Sequence, residues 1–440
     1  MTVNPIRGEY ELLDDDTDDA PRRVRNPLLV LVVPAGSYRA ADFVAATRSL
    51  RVDLVVASDG DLPMGDIGRS RSLSIDFQRP EWSASRIANL KPQPDAVVAV
   101  DDSGVLIASL ASTILGVATN PASSVAATRN KVQMRGLLAS AGVSQPAFRV
   151  AGRSAVAAMA ADLGYACVVK PRGLSASRGV IRVDNAQEAE AAEERIRQIV
   201  ADSGGDPDED LLVEAFVPGP EVAVEGMIVR GELVVLALLD KPDPLDGPYF
   251  EETMFVTPSR HAPHIQEEIV RVVGGATASL GLVSGPVHAE VRIGPHGVVL
   301  IEVAARPIGG LCGRALTFGL LGESLESVII RGALGMPGAG TDSAVAATGV
   351  LMIPIPEAGR LIAIDGVEEA LAVEGVTEFD QTIAIGRTVR PLPDGSRYLG
   401  FIFAIGISPD DVEHSLRRAH DCLIIAIEPG EVTPDSSTVC

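Results

Sequence analysis

The chain has 440 residues, too many for one compact core, so two to four lobes are expected. Hydrophobic residues make up 46% of it and aromatics only 4%, with Ala, Val, Leu, Ile and Gly prominent, the usage of an α/β protein with many small buried strands. A formal charge of −22 argues against a nucleic-acid partner, because affinity for a phosphate backbone comes mostly from Lys and Arg. The four scattered cysteines, with no C-x-x-C pair, argue against a structural zinc and for a reducing, cytoplasmic setting.

Residues 1–24 are acidic and poor in apolar side chains, and read as a disordered tail rather than a signal peptide. No apolar stretch reaches the roughly 18 to 20 residues of a membrane span, so no membrane role is expected. From Pro27, "LLVLVVPAG", "YRAADFVAATRSL" and "VDLVVASDG" read as strand, helix and strand in the parallel sense, and "PDAVVAVDD" with "SGVLIASLASTIL" adds a further strand and helix. Residues 25–119 therefore form an open α/β lobe. Ligands sit at the carboxyl ends of strands in such sheets, which brings in Ser37, Asp59, Asp101 and Asp102, although helix capping explains them equally well.

A helix over "TRNKVQMRGLLASAG" ends near Gly142 and Pro146. "YACVVKPRGLSASRGVIRV" reads as strand, glycine-bounded loop and strand, and "NAQEAEAAEERIRQIVAD" as a charged amphipathic helix. Strands return over residues 211–240, a long polar loop spans residues 247–262, and "IQEEIVRVVGGATASLGL" is a helix before a hairpin, "HAEVRIGPHGVVLIEVAARPIGG". Beyond about Ala344 come strands and turns with one clear helix, "SPDDVEHSLRRAHDCL".

The chemistry concentrates in two of these stretches. Lys170, at the end of an apolar strand, precedes Gly173, Ser175, Ser177 and Gly179: a fixed cation followed by a turn whose N–H groups and hydroxyls can cradle phosphate oxygens. A plain hairpin tip has the same appearance. In the late hairpin, Glu290 and Glu302 fall on adjacent strands joined by "GPHG" and, if the register allows, point to one face as oxygen ligands for Mg²⁺. A buried carboxylate needs a cation, and Arg306 is the structural alternative to the metal. His288 reads as a packing or hydrogen-bonding residue, His261 and His264 as exposed, and Cys312 as no nucleophile.

Order along the chain adds more: Lys131, Lys170 with its loop, V-E-x-F-V-x-G-x-E at 213–221, then Glu290, Glu302 and Arg306. This ordered set resembles the ATP-grasp superfamily, and within it the carboxylate-amine ligases related to phosphoribosylglycinamide synthetase, biotin carboxylase and the bacterial L-amino acid ligases. The resemblance covers about residues 27–430. It implies an α/β ATP-grasp fold: an N-terminal pre-ATP-grasp lobe (25–119), an ATP-grasp domain (120–343) with a lid subdomain at about 148–214, a β-rich C-terminal domain (344–430) and a tail (431–440).

The resemblance further implies ATP and Mg²⁺, with Mn²⁺ as a substitute. Lys131 and Lys170 would hold the phosphates and Ser175, Ser177 and Gly179 would close over them. Glu214, Ala215, Phe216 and Val217 would form the hinge that reads the adenine, Glu221 would take the ribose, and Glu290 and Glu302 would bind the metal. Arg306, Gly309 and Gly310 would serve the reacting centre, and Glu251 and Glu252 would meet the substrate. Many similar proteins carry Asn two residues after the second glutamate; this chain has Ala304, which points away from the D-alanine ligases and toward the L-amino acid ligase branch.

The expected function is an ATP-dependent ligase joining a small carboxylate to an amine through an acyl phosphate, with a homodimer as one assembly. A carboxylase or purine-pathway ligase is the alternative among enzymes. A non-catalytic ATP-binding sensor is the alternative outside them.

Overall fold

The computed structural model describes residues 25–35, 37–60, 71–317, 321–338 and 346–430. Both tails expected at the two ends fall outside these residues. Four parallel strands, in the order Arg71–Ser74, Asp53–Ser58, Leu28–Val32 and Ala96–Ala99, form the first sheet. Leu28–Val32 is buried at every position because helices cover both faces. Val30 and Val32 pack in one core with Ala84, Ile87 and Ala111, and Leu29 and Leu31 in another with Phe43, Ile329 and Ile330. The helix Val105–Leu115 stops at Gly116, whose φ of 72° suits a residue without a Cβ.

A second, antiparallel sheet has the order Phe148–Ala151, Leu211–Ala215, Cys167–Lys170 and Ile181–Val183. The helices Val156–Leu163 and Ala186–Asp202 share its core. Asn185 accepts from the Glu188 N–H and Glu188 accepts from the Asp184 N–H, a reciprocal cap that sets where the longer helix starts.

The largest sheet has eight antiparallel strands in the order Gly297–Ala304, Ser284–Gly294, Glu221–Val229, Glu232–Lys241, Met254–Thr257, Ala347–Ile353, Gly400–Gly406 and Val376–Gln381. The strands after residue 346 thus extend the sheet that carries the late hairpin. A three-stranded sheet of Thr388–Val389, Gly359–Asp365 and Ile424–Pro429 lies beyond it. Arg314 binds Asp42, Glu378 and Asp380 at 2.7 to 2.8 Å, tying the first lobe to the end of the large sheet.

The stretch 247–262, expected to be a polar loop, instead contains the buried strand Met254–Thr257 in the middle of the large sheet, paired with Ala347–Ile353. Four residues followed by Pro258 are too few to show a period, so the position in the sheet decides their state. Among the described residues no helix is long and apolar enough to cross a membrane.

Candidate active site

Between the small sheet and the large one, closed at one end by the first lobe, lies a cavity of about 260 Å³. It gathers residues from positions 37 to 398, and the strand ends determine what reaches it. Lys170 ends a strand buried at all four positions, so its side chain enters the cavity with the apolar strand behind it. The loop after it passes through two non-glycine residues in the left-handed region, Ala176 (φ 55°) and Ser177 (φ 53°), which line the cavity beside Ser175. Such backbone is costly for L-residues. Lys131 holds the loop from below, its Nζ donating to the Leu174 carbonyl at 2.8 Å. Gly179 does not line the cavity; its N–H donates to the Pro393 carbonyl and anchors the end of the loop.

Beneath Lys170, Glu214 is 1% exposed and accepts from Arg135 Nε and from Lys170 Nζ, the latter at 2.6 Å. Burial alone would raise its carboxyl, but Arg135 and Lys170 outweigh it and bring it down to about 2. Glu214 is therefore a fixed anion that orients two cations. Of the backbone expected to read the adenine, the Ala215 and Phe216 N–H groups already donate to the Ala147 and Ala166 carbonyls, and the Val217 carbonyl accepts from Arg292 at 2.8 Å. Glu221 is engaged at both oxygens, by Lys241 at 2.6 Å and by Arg292 at 2.8 Å.

The two hairpin glutamates face each other in register, Glu290 opposite Glu302, with a bulge just after Glu290. Both line the cavity, with side chains 21% and 31% exposed. Glu302 pairs with Lys131 at 3.2 Å, and Glu290 with Lys241 at 3.2 Å and with His288 at 3.6 Å. Burial would raise the Glu290 carboxyl, but Lys241 and His288 hold it well below the usual range. Glu252 also reaches Lys241; burial pushes its carboxyl up, and the neighbouring Glu290 adds to the shift against the pull of Lys241. Oxygens of Glu221, Glu252 and Glu290 come within 4.8 Å of one another, but the Lys241 ammonium is the cation they share. The pair Glu290 and Glu302 offers hard carboxylate oxygens at the cavity surface, which fits Mg²⁺, a cation that takes one or two carboxylates and leaves its other positions to water and phosphate. Ala304, 5% exposed, adds no third oxygen.

At the far side Arg306 Nε binds Asp102 at 2.7 Å. Burial would raise the Asp102 carboxyl, but Arg306 outweighs it and keeps it ionised. His288 bridges Glu225 at 3.1 Å and Glu290; burial would lower it, yet the two carboxylates bring it up to about 9, so it is an imidazolium at neutral pH. Glu225, fully buried, also accepts from the Ile308 N–H at 3.0 Å, and Ile308, Gly309 and Gly310 line the cavity. Gly310 has φ 59°, and a Cβ there would lie 2.8 Å from the Phe401 ring. Cys312 lines the cavity, but burial pushes its thiol up, leaving it unsuited to nucleophilic attack.

Thus Lys131, Lys170, Ser175, Ser177, Glu214 to Val217, Glu221, Glu252, Glu290, Glu302, Arg306, Gly309 and Gly310 share one cavity, while Gly179 and Glu251 do not line it. Sequence reasoning missed Lys241, Arg292, Glu225 and Arg135; His288, read as a packing or hydrogen-bonding residue, bonds Glu225. A signal for Lys241 existed: like Lys170, it is a lysine ending an apolar strand, in "LALLDK".

Residues 163–315 match the model of an ATP-grasp domain, and residues 351–428 that of the L-amino acid ligase C-terminal domain 2. The fold is similar to that of an L-amino acid ligase from Bacillus licheniformis, with a TM-score of 0.78 and 25% identity, covering 92% of this chain and 100% of that one. An uncharacterized protein of Sinorhizobium fredii is 28% identical over 305 residues, 68% of this chain and 61% of its own length. Dapdiamide A synthase of Enterobacter agglomerans is 31% identical over 189 residues, 42% of this chain and 44% of its own. The chain therefore spans less than two thirds of the length of these two relatives.

Proposed function

Starting from a chain that carries an ATP-grasp domain followed by an L-amino acid ligase C-terminal domain, we propose that this protein is an ATP-dependent ligase that joins the carboxylate of an amino acid or small acid to an amine, releasing ADP and phosphate. The observation that carries the reading is the meeting, in one cavity, of two lysines beside the Ser175–Ser177 loop with two carboxylates in register and a partly buried arginine.

The nucleotide would lie with its base along residues 214–217, against the cavity-lining Val168 and Ile301, where the Val217 N–H would read the base edge. Its phosphates would meet Lys131, Lys170 and the N–H groups around Ser175 and Ser177. Glu290 and Glu302 would hold Mg²⁺, which supplies charge neutralisation to the phosphate oxygens. An oxygen of the substrate carboxylate attacks the γ-phosphorus, the bond to the β-γ bridging oxygen breaks, and ADP departs with that electron pair. The amine nitrogen then attacks the acyl carbon, the amine gives up a proton, and phosphate leaves to give the amide. Arg306 and the Gly309 and Gly310 backbone face the developing negative charge, and the Arg306 fork is held in place by Asp102. The loop, closed over the phosphates, keeps water from the acyl phosphate.

The test is ADP and phosphate release with Mg-ATP against pooled amino acids and small acids, with mass spectrometry of the organic products. A new amide formed in step with ADP is the expected result. ATP binding with no amide from any pool, or ADP formed with a carboxylated product, overturns the reading.

A further inference from the structure

The charges around the cavity do not balance evenly, and the imbalance is local. Among the described residues, six Lys and Arg side chains line it. Lys131, Lys170, Arg292 and Arg306 each have a carboxylate within 4 Å, namely Glu302, Glu214, Glu221 and Asp102. Arg39 and Arg397 have none within that distance among the described residues. Arg39 is 9% exposed, and its Nη1 donates to the Val100 carbonyl at 2.6 Å. Asp101 and Glu326 feel its charge without reaching it. Arg397 donates through Nη2 to the Thr382 carbonyl at 3.2 Å, while its Nε is buried and has no acceptor. The two belong together: the Arg397 guanidinium stands over the ring of Tyr38, the residue before Arg39, at 5.8 Å.

A guanidinium taken out of water without a counter-charge costs several kcal/mol, and folding gains nothing from placing two at one wall of a cavity. Such a pair is stable where an anion from solution completes it, and the planar fork of Arg suits a carboxylate. Both residues come from outside the segment matched to the ATP-grasp domain, one from the first lobe and one from the C-terminal segment. The phosphate-side cations, by contrast, are already paired with glutamates.

Resting on the ligase reading above, we propose that Arg39 and Arg397 form a specificity subsite for a free substrate carboxylate other than the one that is activated. A substrate pair lacking this second carboxylate would leave both guanidiniums unpaired, so it is selected against at binding rather than at phosphoryl transfer. The neighbouring Tyr38 ring lies beneath the Arg397 guanidinium, and both line the cavity.

The experiment uses the acid and amine identified by product analysis. Each is offered as the free acid and with its non-reacting carboxylate converted to the primary amide, to wild type, Arg39→Gln, Arg397→Gln and Arg397→Lys. In wild type, amidation of one partner should raise its KM roughly tenfold or more, the usual effect of losing a hydrogen bond to a charged group; which partner responds identifies the source of the carboxylate. In Arg397→Gln the free acid should lose that advantage, ATP's KM should move less than twofold, and Arg397→Lys should recover part of the effect. Equal use of acid and amide by wild type, or variants that lose acid and amide equally, overturns the subsite. If no pair yields an amide the ligase reading fails, and the subsite is then judged by calorimetric titration of succinate into wild type holding a non-hydrolysable ATP analogue. Saturable binding that disappears in Arg397→Gln supports it, and no binding in wild type removes it.

Discussion

Replacing Glu214 by Gln removes the one negative charge between Arg135 and Lys170, whose side chains are 1% and 9% exposed. The Glu214 carboxyl is depressed from an ordinary 4.5 to about 2, and each unit corresponds to about 1.4 kcal/mol, so ionised Glu214 contributes about 3 kcal/mol to the folded state. Breaking a buried pair by deleting one partner costs a similar ~3–5 kcal/mol, because the other charges stay buried. The sign is that of a depressed acid: the contribution is complete above pH 4.5 and disappears as the pH falls through about 2. Urea unfolding of wild type and Glu214→Gln, compared from pH 7 down to pH 3, measures it. The gap in unfolding free energy should be about 3 kcal/mol at pH 7, unchanged down to about pH 5, and smaller by pH 3. A gap below about 1 kcal/mol at pH 7, or one that does not narrow in acid, would refute the argument that Glu214 is a fixed anion.

Two further outcomes follow from the cavity. Glu302→Gln should lower Mg²⁺-dependent turnover by roughly a hundredfold or more with an unchanged circular dichroism spectrum; turnover at the wild-type level removes the metal assignment. Gly310→Ala places a Cβ 2.8 Å from the Phe401 ring at φ 59°, and should cost about 1–3 kcal/mol by urea unfolding; an unshifted midpoint would show that the ring gives way freely.

Much of the local chemistry is legible in the order of the residues. "LLVLV" and "CVVK" are continuous apolar runs that only buried strands accommodate, and both are strands buried at every position. Glu290 and Glu302 stand out locally as carboxylates in two short apolar segments around a G-P-H-G turn, but their meeting on one face rests on the bulge after Glu290, which shifts the register so that Glu290 rather than Ala289 stands opposite Glu302. Lys170 with its glycine and serine loop carries the same kind of local signal. Met254–Thr257 shows the limit, since its four residues read as loop until neighbouring strands claim them.

What the amino-acid order determined by itself is therefore what depends on neighbours a few residues away: periodicity, strand ends, turn residues and the spacing of charged side chains. Which charges neutralise one another was decided by the tertiary structure alone. Glu214 meets Arg135 and Lys170, Lys241 is shared by three glutamates, Arg306 reaches back to Asp102, and Arg39 and Arg397 are left without a carboxylate among the described residues. The physical reason is range. Hydrophobic alternation acts along one element, whereas a buried charge is satisfied by whichever element the folded chain sets within about 4 Å, and that pairing is written in no local stretch of the chain.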